Sequence, residues 1–93
     1  MINIFKNESY LIGDKIKERF YEKYKNLELV IVYNDFNELV QGIDLQIIDK
    51  ISKATRTVYI SCYDFNTVSE FYNDSLIKID KLLRSIIRKN YFK

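Results

Sequence analysis

Asp44 ends the stretch Gln41-Gly42-Ile43-Asp44 and offers a carboxylate from the start of an apolar strand. As a metal ligand it requires a second carboxylate close by, and Asp64, Asp35 and Glu38 are the nearest in sequence. Asp64 lies one residue past the row Tyr59, Ser61, Tyr63 and so on the opposite pleat. The simpler role for Asp44, on a solvated strand face or at the turn after Gly42, is the favoured one. Cys62 is the single cysteine, and the chain has no histidine to activate it. That absence excludes histidine acid–base chemistry, catalytic triads and mixed Cys/His zinc sites, and it makes Cys62 a buried, inert thiol on a core row. Tyr59 and Tyr63 either stack on bases or anchor a protein partner, or else lie under a helix; both alternatives stand. Lys78, Lys81, Arg84, Arg88 and Lys89 supply five positive charges over about three helical turns, suited either to phosphates or to plain solvation.

The elements that carry these residues follow from periodicity. Ile12, Ile16, Phe20 and Tyr24 recur every four residues and predict a helix from Glu8 to Lys25, capped by Asn7 or Ser9. Leu27 to Tyr33, an unbroken β-rich run, suits a central strand covered on both faces, and Asn34 to Leu39 then breaks it. Ile43, Leu45 and Ile47 alternate with Asp44 and Gln46, and Val58, Ile60 and Cys62 alternate with Thr57, Tyr59, Ser61 and Tyr63, giving two more strands. From Thr67 to Asn90 the residues Val68, Tyr72, Leu76, Ile79, Leu83, Ile86 and Ile87 predict a long amphipathic helix with Lys78, Lys81, Arg88 and Lys89 opposite and Arg84 at the border. The expected fold is an α+β domain spanning residues 1–93, in the order α-β-β-β-α, with a three-stranded sheet packed by two helices.

That order, with Gly42-Ile43-Asp44 opening the second strand, resembles the restriction-endonuclease-like PD-(D/E)xK fold. The resemblance implies an aspartate at Asp44 and a D/E-x-K triplet at Ser61-Cys62-Tyr63. Serine is a weak metal ligand and tyrosine is neutral at pH 7, so the resemblance implies a degenerate member without nuclease activity. Glu18, the candidate for the family's first-helix glutamate, points nearly opposite the apolar stripe of its helix. The same element order describes a double-stranded-RNA-binding domain, but the lysine-rich start of that family's second helix is replaced here by Glu70 and Asp74.

Composition narrows the class. Hydrophobic residues make up 47% of the chain and aromatic residues 15%, well above a disordered composition. The lone cysteine and the lack of a signal peptide predict a cytoplasmic protein, and no apolar run is long enough for a membrane span. Residues 1–26 carry six basic and four acidic side chains, residues 27–74 three and eight, and residues 75–93 six and one. An acidic middle followed by a basic tail suggests a contact face. No catalytic set and no cofactor motif is evident. The expected function is that of a non-catalytic binding protein, an inhibitor or modulator of a host or defence protein complex. Abundant isoleucine, lysine, asparagine and tyrosine are typical of small accessory proteins of AT-rich viruses and mobile elements. Nucleic-acid binding through the basic helix is the alternative, and an open sheet edge, Leu27 to Tyr33 or Thr57 to Tyr63, favours a homodimer.

Overall fold

The structure, a computed structural model, describes residues 2–91 and the side chains of residues 2–86. Its elements are β1 (Ile4–Phe5), α1 (Lys6–Lys23), β2 (Leu27–Phe36), β3 (Leu39–Asp49), β4 (Thr55–Ser61), a single 3₁₀ turn (Cys62–Asp64) and α2 (Val68–Tyr91). The fold is α+β, and its sheet has four antiparallel strands rather than three. The additional strand is β1, two residues that pair with Leu39 and Val40 of β3.

Two successive hairpins make β3 the central strand, with β2 along one side and β4 then β1 along the other. The Leu27–Tyr33 run is therefore an edge, not a centre, and its outer face is open: Val32 is 51% exposed. The run does not stop at Tyr33 either. It continues through a bulge at Asn34/Asp35 to Phe36. Asn37 (φ 49°) and Glu38 (φ 69°) then form a two-residue turn with both positions left-handed, the geometry that matches strand twist. In the β3–β4 loop the Asp49 carboxylate accepts the amides of Ile51 (2.9 Å) and Ser52 (3.3 Å), a local turn that holds this otherwise buried group.

Both helices lie on one face of the sheet. Leu29 and Ile31 of β2, Ile43, Leu45 and Ile47 of β3 and Ile60 of β4 point into a core shared with Ile16 and Phe20 of α1 and Phe71, Ile79, Leu83 and Ile86 of α2. α1 begins at Lys6, ahead of both expected caps: Phe5 is its N-cap residue without a side-chain cap, and the Ser9 hydroxyl donates to the Lys6 carbonyl at 2.6 Å. Gly13 belongs inside α1, because the Tyr33 hydroxyl occupies the space a Cβ would need. Burial first, then the Asp14 carboxylate and Tyr10, raises the pKa of that hydroxyl.

α2 is rotated from the expected phase. Phe71 and Ser75 are its deepest early residues, at 1% and 0% exposure, whereas Val68 is 45% exposed and Tyr72 and Leu76 are only half-buried. The helix start explains the rotation. The Thr67 hydroxyl accepts the Glu70 amide (3.1 Å) and the Glu70 carboxylate accepts the Asn66 amide (3.3 Å), a variant of the capping box displaced by one residue that ties down the helix start. Phe71 then meets Phe65 edge-on at 5.6 Å, and the Ser75 hydroxyl donates to the Phe71 carbonyl at 2.8 Å, which lets a small polar residue sit at the closest approach.

Candidate functional site

With α1 and α2 on the inner face, no element among the described residues covers the outer face of the sheet. Its residues are fixed by register: Glu28, Val30, Val32 and Asn34 on β2; Gly42, Asp44, Gln46 and Ile48 on β3; Thr55, Thr57, Tyr59 and Ser61 on β4. Val32, Asp44 and Tyr59 stand side by side in one row across the three strands. Asp44 Oδ2 accepts from Asn34 Nδ2 at 2.9 Å, which orients the carboxylate in the plane of the face. Tyr59 lies back over Gly42, where any larger residue would collide with its ring, and it remains 49% exposed. The result is a carboxylate flanked by an aliphatic and an aromatic surface. Glu28 and Asp44 are the ionisable carboxylates of these rows, which contain no lysine or arginine.

Tyr63 does not share that row. The chain turns into the 3₁₀ segment at Cys62, with the Ser61 hydroxyl accepting the Tyr63 amide at 3.1 Å. Tyr63 (59% exposed) and Phe36 (64% exposed) instead border a shallow depression floored by Ile2, Val40 and Cys62. Sequence reasoning missed Val32 and Phe36. The signal for Val32 was its parity with Glu28 in a period-two strand, which places both on a wet face.

The basic residues lie elsewhere. α2 packs against the inner face, so the exposed Lys81 and Arg84 project from the opposite side of the molecule to Tyr59. Lys78 is paired with Asp74 at 2.8 Å. Arg88 and Lys89 fall outside the residues whose side chains are described. Of the expected binding residues that are described, Tyr59 lies on the outer face, Tyr63 beside the depression with Phe36, and Lys78, Lys81 and Arg84 on α2.

The residues of the nuclease-like pattern also divide. Asp44 and Ser61 share the outer face, whereas Glu18 is exposed on α1, across the sheet. Among the described residues no three His, Cys, Asp or Glu side chains are grouped to hold a metal ion.

Cys62 is buried at 1% exposure, and burial pushes its thiol up to about 11. At pH 8 a thiol of ordinary pKa is about one-quarter ionised and one at 11 about 0.1%. Native protein is expected to react with an aromatic disulfide reagent more than about 100-fold more slowly than protein in urea. Equal rates in the two states would contradict the burial of Cys62. The pH dependence has a definite sign: the folded thiol holds its proton above the pH at which the unfolded one loses it. The contribution to stability is therefore whole below about pH 8.5 and is lost as the pH rises towards 11.

No helix among the described residues is long and apolar enough to cross a membrane. The chain matches no protein-family model, no curated protein and no solved structure, so its surfaces rather than its relatives must indicate what it does.

Proposed function

We propose that this chain is a non-catalytic protein-binding module that docks through the outer face of its sheet. The observation that carries the reading is the uncovered row Val32–Asp44–Tyr59, with two large exposed apolar surfaces on either side of an oriented carboxylate. Interfaces favour such mixtures, in which aromatic residues supply contact area and a single charge fixes orientation. The acidic character of the face favours a protein partner with basic side chains over a nucleic acid, whose phosphates Glu28 and Asp44 repel. The partner class that fits the composition is a host or defence protein complex, inhibited by occupation of its surface.

Two measurements test this together. Affinity capture from the source cells is expected to recover a protein with the wild type and with the Lys81→Glu/Arg84→Glu variant, and to lose it with Val32→Glu or Tyr59→Ala. Anisotropy with labelled DNA and RNA at about 50 and 200 mM salt is expected to show no steep salt-dependent binding. Tight, salt-sensitive binding that Lys81→Glu/Arg84→Glu abolishes would replace the proposal with the second reading, a nucleic-acid-binding module of degenerate nuclease type acting through α2.

A further inference from the structure

We propose that β4 is a self-association strand: two copies pair antiparallel along their β4 edges about a two-fold axis beside Val58, extending one sheet through both. This rests on the backbone of the edge and is independent of what binds the outer face.

The direction of each peptide group follows from one hydrogen bond. The Leu29 amide is taken by Tyr21 Oη at 3.1 Å, so Leu29 directs its backbone away from β3. Antiparallel ladders alternate, and the register Leu29–Ile47–Arg56 carries the alternation across the sheet. Arg56, Val58 and Ile60 thus bond to β3, and Thr55, Thr57, Tyr59 and Ser61 direct their amides and carbonyls outward. The Thr55 carbonyl agrees, since it accepts from Arg56 Nη1 at 2.7 Å. Among the described residues no turn, cap or loop bond reaches the outward groups of Thr57 or Tyr59.

The two edges of the sheet are treated differently. β2 is guarded: Tyr21 occupies Leu29, Glu28 is charged, and a bulge bends the strand at Asn34/Asp35. β4 carries one such device, at its start: Arg56 occupies the outward Thr55 carbonyl (2.7 Å) and reaches Ser85 Oγ of α2 (3.1 Å), and beyond it Thr57 and Tyr59 are unguarded. Tyr59 leans inward over Gly42 and leaves the edge backbone uncovered.

The occupant is a second copy because the edge complements itself. With the axis beside Val58, Thr57 faces Tyr59 of the other copy and Tyr59 faces Thr57, and neither ring stands between the two backbones. Each of these pairs exchanges two backbone hydrogen bonds. On the inner side Val58, only half-buried at the margin of the core, meets its own copy and is completed by it. Between the paired strands no charge meets a like charge, since Arg56 faces Ile60 of the other copy, and Lys78 on α2 is paired with Asp74. The two outer faces become continuous, which presents two Val32–Asp44–Tyr59 rows on one surface.

Light scattering at about 100 µM is expected to give the dimer mass, since a micromolar dissociation constant leaves mainly dimer there. In a Cys62→Ala background, Val58→Cys is expected to form an intermolecular disulfide on oxidation, because directly opposed non-hydrogen-bonded residues have Cα atoms about 4.5 Å apart. Thr57→Cys is expected not to cross-link, since its copy lies diagonally at about 7–8 Å. Thr57→Pro, which removes an edge amide, and Thr57→Lys, which keeps it but adds charge, are both expected to be monomeric, with circular dichroism reporting their folding. A monomeric wild type, a dimer that survives both Thr57 variants, or cross-linking of Thr57→Cys as readily as Val58→Cys would each overturn the proposal.

Discussion

Phe71→Ala is expected to cost about 3–5 kcal/mol of stability, a large part of the roughly 5–15 kcal/mol that holds a domain of this size together. Phe71 is 1% exposed, packs edge-on against Phe65 at 5.6 Å and lines the interior with Ile4, Ile16, Val40 and Ile43. It is the point at which α2 meets α1, β1 and the sheet. Removing its ring opens a void that four separate elements would have to close, and packed interiors relax only in part. Its sequence neighbour supplies the control. Tyr72 is half-buried beside Ile12 and Lys15, in a cleft open to solvent, so Tyr72→Ala is expected to cost about 1 kcal/mol, near the ordinary cost of a substitution. Urea unfolding followed by circular dichroism measures both. A larger loss for Tyr72→Ala than for Phe71→Ala would mean that α2 is rotated by about one residue, or 100°, from the orientation that buries Phe71.

The same pair shows where sequence reading runs out. Periodicity identified α2 and its inner residues Ile79, Leu83 and Ile86 correctly, because three apolar positions agree on one face. At the N-terminal turns two aromatics compete, Phe71 and Tyr72, and the stripe Val68–Tyr72–Leu76 matches the helical period as well as Phe71–Ser75–Ile79 does. A serine at 0% exposure argues against itself in any hydrophobicity count. The choice is made by the Thr67–Glu70 cap and by Phe65, that is, by packing outside the helix.

The strands divide similarly. Ile43, Leu45 and Ile47 were legible as an inward row because polar residues alternate with them. Ile4–Phe5 was not, since two residues have no period and their strand exists only through pairing with Leu39 and Val40. Leu27–Tyr33 reads as a doubly buried run, yet strand order rather than composition decides which strand is central, and the two hairpins give that place to β3. The candidate site inherits this ambiguity. Whether Tyr59 is exposed depends on which face receives the helices, and both lie on the same one. An antiparallel meander tolerates a wet face, and the polar row Thr55, Thr57, Tyr59 and Ser61 was the available hint. The separation of Tyr59 from Lys81 and Arg84 follows from three-dimensional packing alone.

Gly42→Val is expected to cost about 3 kcal/mol although valine is the better strand former, because overpacking outweighs a propensity gain of about 1 kcal/mol. A Cβ at position 42 would lie 2.5 Å from Tyr59 Cζ and 2.7 Å from the Ile60 carbonyl oxygen. The first neighbour is a side chain that can lift away; the second is the backbone of a paired strand, which cannot move without disturbing the β3–β4 ladder. The two contributions separate in a double-mutant cycle with Tyr59→Ala. Tyr59→Ala alone removes a half-exposed ring and is expected to cost about 1 kcal/mol. In its presence Gly42→Val should cost less, by the share that displacing the ring contributed, but not nothing, since the Ile60 carbonyl remains. Strict additivity would mean that the ring does not rest on Gly42, and a neutral Gly42→Val would mean that the strands are not in this register. The glycine thus has a role beyond β3 itself. It allows Tyr59 to lie flat, and a flat Tyr59 is what leaves its ring face open beside Asp44 and the edge of β4 clear of side chains. A substitution at Gly42 that the fold survives should therefore weaken both partner capture and pairing of β4, although Gly42 itself is buried beneath the Tyr59 ring.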